Sequence, residues 1–522
     1  MKKRKMLKII ASVWLILICS WIYLYRFDLL KFMNEHFYKG ETKIELTTEQ
    51  KIEDFEAFYT TMVESVPYLE QKKALYGIDF VARKDYYLNE VKATKNNLEY
   101  YGVMKAIAAD LNSFHTDICF PMYSNLLGLN CYNSEKVVQG LGRKEKIDAW
   151  WQEIEEGLQE YEDVDLVKVV YIDGKYVVEN DCLPQGCSEL ENYELDQIDG
   201  EDAGQYIVEH ISIFDLQYDY IHKQAYRGGC VLNDKVGKEV QVVWKNEAGQ
   251  KIHQTLFMNN GAEVVWSYGY LFSEKYDYYH MEELQEEDVV MQRDDENQLE
   301  YVKINNFGNA NGDQLKEYLL NTPYQTIVID LRDNYGGLNN YAVKYLYPGL
   351  YDEDVIFSYF WKVPNTKSNK KMSNSLGVRF SYYDRKDKDF IYYKDTLRYK
   401  GEQTDKKEVY YLIGSDTGSA ADTYMAMVKE KHLGTIVGTN TGGEGLGASF
   451  ICDTLKNSGL VYVYYPSISI DEDGREDHCA GVAPDIYVGQ SKSDFEMEKN
   501  LRDYSQKLEY DAVLSWVVNQ LK

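Results

Sequence analysis

Apolar residues recur at helical spacing between residues 46 and 112. The segment TTEQKIEDFEAFYTTMVESVPYL begins with a threonine followed by early acidic residues, which is typical of a helix N-terminus. The segment NNLEYYGVMKAIAADLNSFH repeats the helical pattern and ends at His115. We therefore predict a helical N-terminal region over residues 26–150 that carries His115.

Residues 164–260 have a different pattern, in which short strands are divided by Gly and Asp turns. The strand-like pieces are LVKVVYI, KYVV and KEVQVVWK. Between them, YELDQIDGEDAGQYIVEHI has the pattern of a strand, an Asp-Gly turn and a short helix. These features predict a second domain, rich in strands, at residues 164–260.

Strands and helices alternate from residue 299 onward. LEYVKINNF and YQTIVIDLRD are strand patterns that each precede a helical pattern, and KEVYYLIG precedes another. Such alternation favours an α/β core. We assign this core to residues 261–522 and interpret the polar, Lys- and Tyr-rich segment 351–400 as an insertion over it.

The first residues have yet another character. A basic tail at residues 1–6 precedes an apolar segment at 7–25, in which Ile9 to Tyr25 carry no charge. This length is near the lower limit for a bilayer-spanning helix, and no Ala-x-Ala cleavage site follows it. We predict a single transmembrane signal anchor, with a cleaved signal peptide as the alternative. The basic tail should stay in the cytoplasm, which places the rest of the chain on the extracytoplasmic side of the cell membrane.

Charge and cysteine content limit the classes of molecule and metal that the protein is expected to bind. The formal net charge is −28, so nucleic acid and anionic lipid are poor partners for the exported surface. Solubility alone accounts for this charge. Cys182 and Cys187 flank LPQG and could form a disulfide in an oxidising compartment. The chain has no Cys-x-x-Cys pair and its 8 histidines are scattered, so we expect no metal site.

Three stretches carry candidate chemistry. YLIGSDTGSAADTYMAMVKE has the pattern of a strand, a tight turn and a helix that begins near Ser419, although serine is also a common helix cap. IDLRDNYGG ends a buried strand at Gly336 and Gly337, where backbone N–H groups can approach a ligand closely. One N–H from this loop and the N–H of Ala420 form the kind of pair that makes an oxyanion hole. His115 is a candidate base, although a lone histidine at a helix end is more often a cap or surface residue.

The sequence resembles the tail-specific, or C-terminal processing, serine proteases, and particularly their tricorn-like branch. The resemblance covers roughly residues 45–490 and follows the order of these motifs: YVKINNF, IDLRDNYGG, GSAAD, GTIVGTNTGG and GVAPDIYV. It implies a crotonase-like α/β protease core. It also implies that residues 164–260 form a PDZ-like domain, which in the family binds substrate C-termini.

The resemblance also assigns roles to residues. It implies that Ser419 is the nucleophile. One branch of the family pairs this serine with a lysine, but the matching position here is Glu444, which excludes that dyad unless another lysine reaches the site. The other branch uses a histidine, and His115-Thr116 matches its motif. An acid before the Gly-Val-x-Pro-Asp motif then orients the histidine; Glu476 is the best match by residue type, and Asp477 is the alternative.

The sequence thus predicts a membrane-anchored extracytoplasmic serine endopeptidase. Ser419, His115 and Glu476 would form its triad, and Ala420 with Gly336 or Gly337 its oxyanion hole. It would cleave a protein or peptide substrate and need neither a metal nor an organic cofactor. The alternative is a catalytically inactive relative that binds peptides or scaffolds a complex. The sequence defines neither the substrate nor the oligomeric state.

Overall fold

The structure is a computed structural model of the chain. It describes residues 46–113, 115–119, 168–178, 190, 193–210, 216–227, 229–231, 238–258, 289–308, 311–370, 381–382, 387–447, 451–476, 480–492, 494 and 509–522. The predicted anchor at 7–25, the Cys182–Cys187 pair and the alternative acid Asp477 lie outside these residues. Within the described part of the chain, no helix has both the length and the apolar character needed to cross a membrane.

In the described part of the N-terminal region, the structure contains four helices and one strand. They are α1 Thr48–Ser65, α2 Leu69–Tyr76, α3 Lys84–Ala93, α4 Asn97–Ala109 and β1 Asp117–Cys119. The first helix begins at a capping box, in which the Thr47 and Gln50 side chains accept each other's backbone N–H groups. Its apolar face buries Phe55, Phe58 and Met62 completely. The helices therefore lie in the segment where the apolar spacing predicts them.

The second domain, residues 168–258, is built mainly from strands. They are β2 Lys168–Ile172, β3 Lys175–Val178, β4 Glu194–Ile198, β5 Glu201–Asp202, β6 Leu216–Asp219, β7 Gln224–Arg227, β8 Gly229–Val231, β9 Lys238–Lys245 and β10 Lys251–Met258, with helix α5 Ala203–His210 between β5 and β6. Seven strands form one antiparallel sheet, in the order β10-β9-β4-β3-β2-β8 with β5 beside β4. The hairpin β6–β7 stands apart from this sheet.

A small hydrophobic core stabilises this domain, and a buried ion pair joins it to the N-terminal helices. Ile198, Val240 and Trp244 are fully buried in its core. Arg227 is also fully buried, and its guanidinium lies 3.4 Å from the carboxylate of Asp110 at the end of α4. Burying an arginine is costly unless it is paired, so this contact fixes the end of β7 against the N-terminal helices.

The remaining elements form the C-terminal core. Its strands are β11 Val289–Asp294, β12 Leu299–Ile304, β13 Thr326–Asp330, β14 Val355–Pro364, β15 Ser381–Tyr382, β16 Phe390–Tyr399, β17 Glu408–Ile413, β18 Thr435–Gly438, β19 Ile451–Thr454, β20 Val461–Tyr464, β21 Ile468–Ile470 and β22 Ile486–Tyr487. Its described helices are α6 Gly312–Leu320, α7 Asn339–Tyr341, a short π-helix at Ala342–Leu346, α8 Tyr347–Leu350, α9 Ser419–Lys431 and α10 Ala512–Leu521.

The described strands of this core form three sheets. A six-stranded sheet has the order β11-β12-β13-β17-β18-β22, and all its pairings after β11–β12 are parallel. Segment 351–400 contributes the ten-residue strands β14 and β16, which pair in the sheet β15-β16-β14-β21. The third sheet has the order β1-β20-β19. Because β1 belongs to it, the chain that follows α4 is attached directly to the core.

Candidate active site

Four parallel strands of the core sheet end at one edge. The loops that follow β12, β13, β17 and β18 are residues 305–308, 331–338, 414–418 and 439–445. In open α/β sheets, ligands bind in the crevice beyond the carboxyl ends of the strands. The predicted nucleophile and the Gly-Gly loop both belong to this edge.

Ser419 is the first residue of α9 and has a strained backbone. Its φ is 51°, in the left-handed region that non-glycine residues rarely occupy. The turn before it is fixed from two sides, because Gly418 N donates to Asn334 O at 3.0 Å and Ser419 N donates to Gly443 O at 3.1 Å. The Thr417 hydroxyl also donates to Leu331 O at 2.7 Å. These bonds hold a conformation that the serine would not adopt alone.

His115 lies against the Ser419 hydroxyl. Its Nε2 is 3.1 Å from Ser419 Oγ, although the two residues are 304 positions apart in the chain. The ring stacks on Tyr465 with centroids 5.1 Å apart, and the backbone N–H of His115 donates to Ser113 Oγ at 3.3 Å. With 19% of its side chain exposed, the imidazole is accessible from one side and held on the other.

Glu444 lies on the opposite side of the imidazole. Its Oε2 is 3.1 Å from His115 Nδ1 and accepts a hydrogen bond of 2.8 Å from the Ser113 hydroxyl. Burial raises the pKa of the Glu444 carboxyl, but the bond to His115, the charge of Lys72 and the Ser113 hydroxyl together hold it below its ordinary value. An ionised carboxylate only accepts hydrogen bonds, so Nδ1 carries the ring proton and Nε2 is free to accept from Ser419.

The loop that carries Glu444 is attached to the same helix as Ser419. Asp422 accepts hydrogen bonds from the Thr441 hydroxyl at 2.5 Å and from Gly445 N at 3.1 Å. Asp422 lies one turn beyond Ser419 in α9, so Ser419 and the loop that carries Glu444 are both attached to this helix. The sequence signal for Asp422 is the acid at the end of GSAAD, whose positioning role we did not infer from sequence.

The Gly-Gly loop approaches the start of α9 very closely. A Cβ atom at Gly336 would lie 2.6 Å from Ser419 Cβ and 2.8 Å from Ala420 N. Gly336 N itself donates to Asn334 Oδ1 at 2.9 Å. Among the described residues, the N–H groups of Gly337 and Ala420 donate to no protein acceptor. Of the three candidates for an oxyanion hole, these two are therefore available to a ligand.

Glu476 is not placed beside His115. Its carboxylate pairs with the ammonium group of Lys362 on β14 and accepts from the Gln71 side chain. The reason is that Glu476 forms a β-bridge with Ile470, the last residue of β21, and β21 pairs with β14. The structure thus corrects the sequence prediction in its geometry, since the acid at His115 Nδ1 is Glu444. Within the described residues, no group of three or more His, Cys, Asp or Glu side chains could hold a metal ion.

Asp416 precedes Ser419 by three residues and contacts the second domain. Gln217 of β6 donates to its carboxylate at 3.5 Å, and Tyr335 beside the Gly-Gly loop also hydrogen-bonds to it. Burial and the like charge of Asp333 raise the pKa of Asp416 to about 6. This carboxyl therefore titrates near neutral pH at a junction of three segments.

We expect Asp416→Asn to change the pH dependence of stability. The folded pKa of Asp416 lies above its ordinary value of 3.8, so the free energy of unfolding falls as the pH rises through about 4 to 6. The variant does not titrate here, so at pH 7.5 it should be more stable than wild type by on the order of 2–3 kcal/mol. Urea unfolding at pH 4.5 and 7.5 measures this. The exposed Asp473→Asn is the control, and a gain independent of pH would contradict the assignment.

The strand-edge location, the strained serine and the histidine at its hydroxyl are features of a serine-type peptidase. Residues 298–488 match the family model for Peptidase family S41. This segment contains Ser419, Glu444 and the Gly-Gly loop, whereas His115 precedes it. This part of the chain is therefore similar to peptidase family S41, and the prediction of a serine-type peptidase is confirmed at the level of enzyme class.

Two solved structures of mature CPAF share the fold. Mature CPAF complexed with lactacystin is 12% identical, with a TM-score of 0.50 over 91% of this chain and 98% of that chain. A crystal structure of mature CPAF gives the same values. The photosystem II D1 C-terminal processing protease is 16% identical, with a TM-score of 0.34 over 85% of this chain and 94% of that chain. No curated protein matches the sequence.

Proposed function

We propose that the protein is a membrane-anchored, extracytoplasmic serine endopeptidase that hydrolyses protein or peptide substrates through Ser419, His115 and Glu444. One observation carries the proposal: a single imidazole lies 3.1 Å from the serine hydroxyl and 3.1 Å from a buried carboxylate. This is the geometry of a nucleophile, a base and the acid that orients the base.

The proposed reaction begins with proton transfer. His115 Nε2 takes the hydroxyl proton while Ser419 Oγ bonds to the substrate carbonyl carbon, and the carbonyl oxygen becomes an oxyanion. Glu444 stabilises the imidazolium that forms. The N–H groups of Ala420 and Gly337 stabilise the oxyanion, an effect of about 3–4 kcal/mol per donor in other enzymes.

The second half releases the products. His115 gives its proton to the leaving amine as the C–N bond breaks, which leaves an acyl group on Ser419. A water molecule attacks this ester while His115 accepts its proton. The proton then returns to Ser419 as the carboxylic acid product leaves, and the site is restored.

The remaining parts of the proposal concern the rest of the chain. The apolar segment 7–25 supports an anchor with the peptidase outside the cytoplasm. The strand, turn and helix of β4, β5 and α5 support a PDZ-like role for the second domain in binding substrate C-termini. Binding of a free-carboxyl peptide, but not its amide, to the Ser419→Ala protein would test that role.

The test of the peptidase proposal uses the full-length chain from a membrane fraction and a fluorophosphonate probe. We expect the probe to label Ser419, as read by peptide mass spectrometry, and labelling to be lost in Ser419→Ala and His115→Ala. A folded wild-type protein that is not labelled, and that cleaves no peptide, would support the inactive relative instead. Recovery of the chain in the soluble fraction after an alkaline wash would contradict the anchor.

A further inference from the structure

A buried lysine lies next to the candidate acid. Lys72, in the middle of α2, has its Nζ 3.6 Å from Glu444 Oε1, and the side chains are 8% and 7% exposed. The Nζ atom also lies 5.6 Å and 5.7 Å from the ring centroids of Tyr68 and Tyr76, one helical turn away on either side. A cation this buried needs compensation, and the Glu444 carboxylate provides it.

The two oxygens of Glu444 have different surroundings. Oε2 accepts hydrogen bonds from Ser113 and His115. Oε1 accepts none from the described residues, and Lys72 is the cation that faces it. One oxygen thus orients the imidazole while the other is paired with a charge from a different helix. These partners on its two oxygens keep the Glu444 carboxylate ionised although it is buried.

The same helix is connected to the histidine loop by a second route. Tyr68 and Thr116 are joined through their hydroxyls at 3.4 Å, and Thr116 donates to Ser113 Oγ at 3.0 Å. Because the single proton of Thr116 is used in that bond, Tyr68 is the donor to Thr116. Ser113 in turn donates to Glu444. Tyr68, the residue before α2, and Lys72, one turn later in the helix, therefore contact the loop that carries His115 and the loop that carries Glu444.

We propose that Lys72 is a positioning residue of the peptidase site, which acts through Glu444 to keep the carboxylate ionised and aimed at His115. The inference depends on the proposed function. It adds Lys72, a charged residue, as a fourth member beside Ser419, His115 and Glu444, and α2 lies outside the matched residues 298–488. One branch of the family has a lysine at the position that Glu444 occupies here.

The charges around Glu444 determine the expected pH effect. The groups that face it are Lys72 from α2, His115 from the loop before β1 and Tyr465 from the segment after β20, while Asp422 of α9 binds the adjacent Gly445. Protonating the Glu444–His115 pair adds a positive charge near Lys72. Removal of Lys72 makes that protonation easier, so the pH below which the enzyme loses reactivity should rise.

The experiment measures the rate of fluorophosphonate labelling of Ser419 against pH in the full-length protein. For Lys72→Met we expect the acid limb of the profile to move up by about one pH unit and the maximal rate to fall roughly tenfold. Lys72→Arg keeps the charge and should restore the position of the limb. Lys73→Met is the matched control, because Lys73 is the next residue of α2 and pairs at the surface with Asp79. A Lys72→Met profile that keeps the wild-type limb overturns the proposal.

Thermal unfolding tests the Lys72–Glu444 pair independently of the proposed peptidase activity. If Lys72 and Glu444 form a buried pair, Lys72→Met combined with Glu444→Gln should lower Tm by clearly less than the sum of the two single changes. Additive Tm shifts overturn the pairing even if labelling is normal. If the wild type is never labelled, the proposed function fails and the positioning role with it, whereas the unfolding data still decide whether the pair exists.

Discussion

Replacement of Glu444 by Gln should reduce the labelling of Ser419 and the hydrolysis of peptides by roughly 10³–10⁴-fold, the range expected when the acid of a triad becomes an amide. The reason is the tautomer of His115. The carboxylate accepts the Nδ1 proton and leaves Nε2 free for the serine hydroxyl. The amide of Gln can instead donate to Nδ1, which moves the ring proton to Nε2 and removes the base.

The matched control is Glu476→Gln, the same chemical change at the acid that the sequence favoured. Its carboxylate is 38% exposed and pairs with Lys362. Because the Lys362 side chain is only 9% exposed, loss of this pair should cost about 1–3 kcal/mol of stability, but it should leave the labelling rate within about threefold of wild type. Steady-state peptide hydrolysis and probe kinetics on both folded variants measure this. A large loss in Glu476→Gln with little change in Glu444→Gln would return the role of acid to Glu476.

Local sequence patterns were sufficient to predict the strands and loops that form the edge of the sheet where the candidate site lies. Strand β13 is buried along its whole length and β17 along all but its first residue, so their continuous apolar runs were readable as core strands. The turn before Ser419 and the Gly-Gly loop follow them directly. Because both strands are parallel members of one sheet, their loops had to meet at the same edge.

The pairing between distant segments could not be read from local patterns. His115 reaches Ser419 because β1, which begins at Asp117, pairs with β20. No periodicity in a three-residue strand predicts a partner more than 340 positions away. The family resemblance, and not hydrophobic spacing, was the source of the His115 assignment.

Glu444 shows a different limit. Its type and its place in the TGGEG motif are visible in the sequence, which by itself indicates only the loss of a lysine. What the sequence does not show is the direction of the side chain. Glu444 has a φ of 60°, and the Asp422 contacts hold its loop against α9, which together turn the carboxylate toward His115. The backbone conformation of Glu444 and the Asp422 contacts therefore place a carboxylate beside His115, at the position where one branch of the family has a lysine.

Replacement of Gly336 by Ala should reduce the activity at least about 10²-fold, the scale for loss of one oxyanion donor. The added methyl group would lie 2.6 Å from Ser419 Cβ, 2.7 Å from Gly418 O and 2.8 Å from Ala420 N. Two of these atoms are backbone atoms of the nucleophile turn, which cannot move without displacing Ser419. We also expect a loss of stability, because Gly336 has a φ of 103°. Probe kinetics and thermal unfolding measure the two effects.

Gly249→Ala separates the collision from the backbone strain. Gly249 also has a positive φ, of 78°, but a Cβ atom there would meet nothing within 4 Å. This variant should lose about 1 kcal/mol of stability from the backbone alone and keep its labelling rate. If Gly336→Ala were equally reactive, the Gly-Gly loop could not approach α9 as closely as the structure shows. If it loses reactivity while folded, the missing side chain at Gly336 is required because Ser419 and the N–H of Ala420 occupy that space.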